Sequence, residues 1–327
     1  MTTYKGIQGF TIQNLSADPS NPIEGQVWYN STSNVWKVEE TTTSGTWASA
    51  PSLVSDHIYS QGIGTTTSDG QIAGGAPAGS TANELWNGTA WTTSTTVPSQ
   101  SATWGGSTQG SSTASFYVAG LIGPFSPWTL SSATLEWNGA SWTSSGSYPF
   151  NAWDIRASGT QTAGLAEGGV VGLTPSISNL AHIYNGSTWT GISNWPISKR
   201  NHIAFGTQTA TLAGTGESPQ VNTFTSWNGV SWSSETNYPV TLQAGTGSGV
   251  ESAGIVTGGS SGGNIATTNT YDGTAWTAQG NLGTAKASLS SIGSVSGAKA
   301  ISGNTTTTGV EDYTGPGALV TKTITVS

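Results

Sequence analysis

The sequence predicts an all-β protein built from repeated small sheets, and three observations support this. One short phrase, an aromatic residue, Asn or Asp, Gly, two free residues and Trp, occurs five times. The first aromatic residues of successive copies are 51, 47, 43 and 44 residues apart, a period typical of stacked or radial repeats. A stop containing Gly recurs 25 to 29 residues after the Trp that closes a copy. The repeat therefore predicts the architecture better than any single residue does.

Each copy of the phrase is predicted to be a β-hairpin. Asn-Gly and Asp-Gly readily take the positive φ angles of a tight two-residue turn, and the flanking aromatic residues suit a half-buried strand. We expect the Trp that closes each phrase to pack between neighbouring sheets. The five copies are Trp86 to Trp91, Trp137 to Trp142, Tyr184 to Trp189, Trp227 to Trp232 and Tyr271 to Trp276.

The rest of each period contains further strands. Short β-prone runs precede the Gly stops, and Thr/Ser-rich stretches, often introduced by Pro, lie between the Trp and the next stop. About four short strands per period predict one blade of a β-propeller. We expect six blades, with seven as the alternative. The final copy replaces the Trp strand with 319–326, while Trp47 resembles the end of a fourth strand, so the first segment could complete a blade.

The repeat resembles that of the kelch-type β-propellers over residues 47–327. The shared features are a Gly pair ending the second strand, an aromatic residue with Asn-Gly or Asp-Gly ending the third, a Trp opening the fourth, and a Pro soon after it. The predicted Gly stops are Gly74-Gly75, Ala119-Gly120, Gly168-Gly169, Gly214, Gly258-Gly259 and Gly303. The family often carries Arg or His where the next blade begins, and His57, Arg156, His202 and Lys286 lie near that place.

Residues 1–47 follow a different pattern and are predicted to form an extended arm and a hairpin with strands 26–30 and 35–39. The run from Gly25 to Asn30 and the closing Gly45-Thr46-Trp47 resemble a short N-terminal module on structural proteins of tailed bacteriophages. That resemblance implies docking to a particle through Phe10, Trp28, Tyr29 and Trp36, with residues 48–327 as the propeller. The alternative is that these strands simply begin the ring.

Composition excludes several classes of function. Only 7% of the residues are charged, the formal net charge is −8, and Lys and Arg do not cluster, so binding to nucleic acid is not expected. The sequence contains no run of about 18 apolar residues, so no membrane span is predicted. Residues 1–10 lack the apolar core of a signal peptide. We expect assembly in a host cytoplasm and a final location in the virion.

The sequence offers no set of catalytic or metal-binding residues. With no Cys, it cannot build the copper site of galactose oxidase, and its three His residues fall at non-equivalent places. Two Arg residues are too few for the Arg triad of a sialidase. We therefore expect no enzyme activity, no metal and no cofactor.

Binding is the remaining class of function, and aromatic residues outside the phrase are the candidate contacts. Phe125 and Trp128 lie in an insertion, 121–132, that Pro124 and Pro127 stiffen. The full set of candidates is Trp104, Phe125, Trp128, Trp153 and Trp195. The expected function is a non-enzymatic structural or adhesive virion component, present in multiple copies, whose partners are other virion proteins and a host glycan or receptor. The alternative is a free lectin-like propeller that binds cell-surface glycans.

Overall fold

The computed structural model describes residues 13–75, 80–98, 107–122, 129–172, 176–317 and 319–324. Every regular element in these ranges is a β-strand, and they contain no helix. The chain divides into two compact units: Met1–Gly45 with Gly315–Ser327, and Thr46–Thr314. This division differs from the expected boundary at residue 47, because the last segment belongs with the first.

The first unit is a four-stranded sheet in the order β1-β2-β3-β31. Its strands are β1 (Gln13–Leu15), β2 (Val27–Asn30), β3 (Val35–Thr41) and β31 (Leu319–Ile324). The predicted hairpin corresponds to β2 and β3, which pair antiparallel with Tyr29 opposite Trp36. The last segment pairs with β3 instead of completing the final blade, with Trp36 opposite Ile324.

Within its described residues, the second unit contains six antiparallel sheets, which we number 1 to 6 along the chain. Sheet 1 consists of β5 (Gln61–Ile63), β6 (Gly70–Ala73), β7 (Asn83–Trp86) and β8 (Trp91–Thr93). Sheet 2 begins with β9 (Ser107–Ser111), β10 (Ala114–Ile122), β11 (Thr129–Trp137) and β12 (Trp142–Ser145). It is extended by β13 (Ala152–Trp153), β16 (Val170–Val171) and β17 (Ser176–Ile177).

The other four sheets repeat the four-stranded pattern. Sheet 3 consists of β14 (Arg156–Thr160), β15 (Ala163–Glu167), β18 (Ala181–Tyr184) and β19 (Trp189–Gly191). Sheet 4 consists of β20 (Ile203–Thr207), β21 (Ala210–Gly214), β22 (Phe224–Trp227) and β23 (Trp232–Ser234). Sheet 5 consists of β24 (Thr246–Val250), β25 (Ala253–Thr257), β26 (Thr268–Tyr271) and β27 (Trp276–Ala278). Sheet 6 consists of β28 (Ser290–Ser294), β29 (Gly297–Ile301), β30 (Val310–Thr314) and β4 (Thr46–Ala50).

Sheet 6 is completed by a strand from the other end of the repeats. Tyr313 of β30 lies opposite Trp47 of β4, and their rings are 5.1 Å apart. Of the two segments expected to supply this fourth strand, the one that contains Trp47 does so, whereas 319–326 does not, because β31 pairs with β3 instead. An all-β, propeller-like arrangement of four-stranded sheets results.

The five phrases form hairpins, but their turns differ from the prediction. The two aromatic residues of each phrase lie opposite one another, with ring centroids 4.8 to 5.4 Å apart. Only the Gly takes a positive φ, between 89° and 93°; the Asn or Asp does not. Its side-chain oxygen instead accepts the N–H groups two and three residues later, as Asn87 does from Thr89 and Ala90. In such an Asx turn the side chain hydrogen-bonds to the backbone and so stabilises the turn.

A second turn follows β6, β15, β21, β25 and β29, and the equivalent residues of β10 interrupt that strand at a shift in register. Two successive residues there take positive φ, and the second is always Gly. A Cβ at Gly169 would lie 2.6 Å from Ile155 Cγ2, so the close approach requires Gly. The predicted stop at Gly214 is corrected to Thr215-Gly216, since Gly214 is still in β21. The other pairs are Gly74-Gly75, Ala119-Gly120, Gly168-Gly169, Gly258-Gly259 and Ser302-Gly303.

The apolar core lies between neighbouring sheets. One cluster joins Phe116 of sheet 2 to Ala157 and Ala166 of sheet 3. Similar clusters join sheets 4 and 5, and sheets 1 and 6. The first strands of successive sheets lie side by side in chain order, and β28 of sheet 6 lies beside β5 of sheet 1.

Candidate functional site

Charged side chains gather where the first strands of sheets 3 and 4 begin. Arg156, the first residue of β14, lies opposite Glu167, the last residue of β15. Its Nε donates to the His202 carbonyl at 2.8 Å, and its Nη1 is 3.4 Å from Asp154 Oδ1. His202 Nε2 is 3.4 Å from Glu167 Oε1. All four side chains are buried, and we call Asp154, Arg156, Glu167 and His202 the four-residue cluster.

Burial dominates the electrostatics of this cluster. It raises the pKa of Asp154 to about 6, although Arg156 and the Asn201 N–H oppose the shift. It raises the pKa of Glu167 well above the usual range, and it lowers the pKa of His202 well below its usual range. His202 is therefore neutral at neutral pH, and Arg156 is the cation of the cluster.

These pKa shifts resemble those of catalytic groups, but the side chains of the cluster are not accessible to a substrate. Glu167 and His202 have no exposed surface. A substrate cannot reach either side chain without the sheets separating. The arrangement therefore serves packing between sheets 3 and 4.

Two simpler contacts between a basic side chain and a carboxylate lie at the equivalent ends of sheets 1 and 6. His57 Nε2 is 3.3 Å from Glu84 Oε1, and Lys286 Nζ is 3.1 Å from Glu311 Oε1. We call these the matched pairs. Burial opposes ionisation of Glu84, but hydrogen bonds from His57 and from the N–H groups of Val54 and Ser55 lower its pKa.

The matched pairs also refine the predicted basic positions. His57 and Lys286 each precede by two residues a residue with positive φ, Tyr59 or Ser288. The equivalent residue of sheet 4 is Lys199, which donates to the Pro219 carbonyl at 2.9 Å. His202 and Arg156 were expected near this place, and they lie three and four residues after the equivalent positions, Lys199 and Ala152.

Three partly exposed side chains lie together near this end. Arg200 Nε is 2.7 Å from Glu217 Oε1, and the Arg200 guanidinium carbon is 5.4 Å from the Trp153 ring centroid. Trp153 lies on β13, which links β11 to β16 in the extension of sheet 2. We call Trp153, Arg200 and Glu217 the Trp153–Arg200 surface. A partly exposed aromatic ring beside a guanidinium suits contact with sugars or polar protein surfaces.

The predicted contact residues have different outcomes. Trp153 is partly exposed. Trp195 is 0% exposed and its indole N–H donates to Thr225 Oγ1 at 2.8 Å, so the prediction of a contact role is corrected to a packing role. Trp104, Phe125 and Trp128 lie outside the described residues.

The predicted docking residues also differ in exposure. Trp28 is fully buried, and its Nε1 donates to Asp18 Oδ1 at 3.0 Å, so it stabilises the first unit and is not available for docking. Trp36 is 37% exposed, and its ring lies 5.4 Å from that of Tyr29. Phe10 lies outside the described residues.

Asp18 organises the loop that covers Trp28. Its side chain accepts hydrogen bonds from Lys37, Asn30 and Trp28, which lower its pKa to about 2. The carboxylate thus stays ionised through the physiological range.

The Trp residues that close the phrases connect neighbouring sheets. Trp189 of sheet 3 donates its indole N–H to Thr134 Oγ1 of sheet 2 at 2.9 Å. Trp232 and Trp276 donate to the carbonyls of Ser193 and Thr236, which precede their sheets. Trp91 and Trp142 are buried, and their N–H groups have no acceptor among the described residues.

A pocket of about 50 Å³ lies where the first strands end, and it is lined by glycines of several first strands, including Gly110, Gly159 and Gly206. This volume is large enough to hold water. In the described part of the chain, no three His, Asp or Glu residues are placed to hold a metal ion, and no helix could cross a membrane.

Sequence reasoning named Trp153, Arg156 and His202 separately but missed the four-residue cluster and the contact of Trp153 with Arg200. The members of each group come from separate repeats, so no local spacing reveals that they lie together.

Comparison with known proteins identifies the fold alone. No protein-family model matches the chain, and no curated protein matches it in sequence. Among solved structures, 257 chains match, so the fold is widely used. One of them, described as "Structure of YjhT", is 13% identical with a TM-score of 0.65, over 84% of this chain and 99% of that chain. Because one fold hosts many activities, this likeness carries no function.

Proposed function

We propose that the chain is a six-bladed, kelch-like β-propeller that serves as a non-enzymatic structural or adhesive component of a tailed-bacteriophage virion. The observation that carries this proposal is the two-unit organisation. The first and last segments form a compact sheet of their own, and 46–314 contain all the repeats. Such an organisation suits one unit that attaches to a particle and one that presents a surface.

Six blades are favoured by the order of the sheets. Each first strand lies beside the next, and β28 lies beside β5, so the series returns to its start after six sheets. Strand β4 closes sheet 6 through five residue pairs. A strand from one end completing the last sheet supports ring closure, which protects sheet edges from unwanted pairing.

A binding role is favoured by the contrast between buried and exposed polar groups. The groups with the most perturbed pKa values are inaccessible, whereas the Trp153–Arg200 surface lies open beside the extension of sheet 2. We assign attachment to the face of the first unit that carries Tyr29 and Trp36, and contact with a host glycan or receptor to the Trp153–Arg200 surface. The attached partners are other virion proteins, with several copies of this chain in each particle.

The test is the composition of purified particles combined with two matched variants. Mass spectrometry of gradient-purified virions should detect the chain. Trp36→Ala should lower its incorporation because it removes an exposed aromatic ring from the attachment face. Trp153→Ala, a matched loss of a partly exposed Trp, should leave incorporation unchanged and weaken adsorption to host cells. Equal thermal stability of the two variants keeps the comparison valid.

The free lectin is the second candidate, and the Trp153–Arg200 surface is what favours it. It predicts that the chain is absent from particles and that the purified protein binds glycans, with Trp153→Ala abolishing binding. That pair of results would refute the virion role. Turnover of a glycoside by the purified protein would refute both binding roles.

A further inference from the structure

Four of the phrase turns share an arrangement that promotes a chemical modification. Each has an exposed Asn directly followed by Gly, and the Asn side-chain oxygen accepts two backbone N–H groups at 2.8 to 3.0 Å. The N–H groups of the four Gly residues donate to no acceptor in the described part of the chain. The four residues are Asn87, Asn138, Asn185 and Asn228.

We propose that these four turns are sites of spontaneous deamidation, which the turn geometry promotes. The amide nitrogen of the following Gly loses its proton to hydroxide and attacks Cγ of the Asn. A C–N bond forms, and the side-chain oxygen becomes an oxyanion. That oxyanion lies where two backbone N–H groups already donate, so the turn acts as a small oxyanion hole.

The rest of the reaction needs only water. The intermediate expels the side-chain nitrogen, which leaves as ammonia after taking up protons from water, and a cyclic imide remains. Water then opens the imide at either carbonyl, giving Asp or isoaspartate. No metal, oxidant or second protein is required.

The fifth turn shows that the fold accommodates the Asp product. Asp272 occupies the same place, followed by Gly273 with φ of 91°. Its Oδ1 accepts the N–H groups of Thr274 and Ala275 at 2.9 and 2.8 Å. The Thr274 hydroxyl and these N–H groups lower the Asp272 pKa. An Asp formed at the other four turns would therefore be ionised and held in the same way, whereas isoaspartate would lengthen the main chain and disrupt the turn.

The number of donors differs among the four turns. At Asn87 the Thr89 hydroxyl adds a third hydrogen bond at 2.8 Å, and at Asn138 the Ser141 hydroxyl adds a longer one at 3.4 Å. At Asn185 the Ser187 and Thr188 hydroxyls add two, at 3.1 and 3.2 Å. Asn228 accepts only the N–H groups of Val230 and Ser231. If donors to the oxygen promote attack, Asn87 should react faster than Asn228.

The decisive experiment follows each Asn by peptide mass spectrometry in the intact, folded chain at mildly alkaline pH. The same chain unfolded in denaturant provides the reference rates. Exposed Asn residues without a following Gly, Asn194 and Asn237, are internal controls. We expect the four Asn-Gly sites to react in the folded chain at least as fast as in the unfolded chain, while the controls remain amides.

Two variants separate promotion from mere exposure. Asp272→Asn should create a fifth reactive site with a rate close to that of Asn87, since Thr274 supplies the same hydroxyl. Thr89→Ala should slow Asn87 by about threefold or more, a small share of what one oxyanion-hole donor contributes in an enzyme. Thermal unfolding checks that both variants fold.

Two results would overturn the proposal. Slower reaction at all four sites in the folded chain than in denaturant would mean that the hydrogen bonds hold the side chain away from attack. An Asp272→Asn protein that folds but keeps the introduced side chain as an amide would show that the turn does not promote the reaction.

Discussion

The four-residue cluster and the matched pairs lie at the same end of their sheets, but they handle buried charge differently. In each matched pair, one basic side chain meets one carboxylate on the third strand of the same sheet, Glu84 or Glu311. In the cluster, Arg156 pairs with Asp154 and donates to the His202 carbonyl at the start of sheet 4, while the His202 ring contacts Glu167 of sheet 3. Each matched pair holds the segment before a sheet's first strand against the third strand of the same sheet, whereas the cluster joins two sheets. Removing charge should therefore have unequal effects in the two regions.

The largest expected effect is that of Arg156→Leu. The substitution leaves Asp154 buried without its paired cation, and breaking a buried ion pair in this way typically costs about 3–5 kcal/mol. Denaturant unfolding at pH 7 should show this loss in the free energy of unfolding. The loss should shrink at pH 5, where Asp154 is more readily protonated. A change below about 1 kcal/mol would show that the cluster is not a stabilising connection between the sheets.

The next effect concerns the pH dependence that Asp154 confers. Its folded-state pKa of about 6 exceeds the ordinary value of 3.8, so the folded state binds the proton more tightly. The stability from this group is fully present below about pH 4 and is lost as the pH rises through 6, a change of about 3 kcal/mol.

Asp154→Asn should remove that dependence. The difference in unfolding free energy between the variant and the parent chain should change by about 3 kcal/mol between pH 4 and pH 7, in favour of the variant at the higher pH. Comparison with the parent cancels the contributions of other carboxylates, including Asp18 and Glu84, whose lowered pKa values act in the opposite direction. A constant difference across this range would contradict the buried, ionisable state of Asp154.

An intermediate effect is expected for a matched pair. Among the described residues, Lys286→Met leaves Glu311 with the Gly283 N–H as its one remaining donor, and we expect a loss of about 2 kcal/mol. Glu311→Gln in the same chain should restore about half of it, because the neutral amide still accepts the Gly283 N–H. Thermal and denaturant unfolding of both single variants and the double variant form the cycle. Strictly additive losses would show that Lys286 and Glu311 are not coupled.

The comparison also shows what the sequence could and could not reveal. The aromatic phrase predicted the hairpins because both aromatic residues and the turn lie within six residues of one another. The completion of sheet 6 was uncertain because Trp47 and Tyr313 come from opposite ends of the repeats. The positive φ angles of Thr215 and Ser302 could not be predicted from the sequence, since neither residue is the Gly that such a conformation favours.

Charge partners were even less visible in the sequence. Glu84 and Glu311 are separated from their basic partners by 25 residues or more, and only the pairing of strands brings them together. Trp195 resembled an exposed loop aromatic because its partner, Thr225, belongs to the following repeat. A repeat thus predicts its own local geometry well, but it does not predict contacts that differ from one sheet interface to the next.

The smallest effect is expected at the Trp153–Arg200 surface, and it separates binding from stability. The Arg200 side chain is 31% exposed and its ion pair with Glu217 is short, but exposed pairs contribute little because water solvates the separated charges nearly as well. Arg200→Met should lower the free energy of unfolding by about 0.5–1 kcal/mol, including the lost contact with the Trp153 ring. The measurement is denaturant unfolding beside Arg156→Leu, since the two variants remove the same charged group from one end of neighbouring sheets. If Arg200→Met destabilises the chain as much as Arg156→Leu, these partly exposed residues belong to the same structural network as the cluster, and the proposed contact role of the surface is no longer supported.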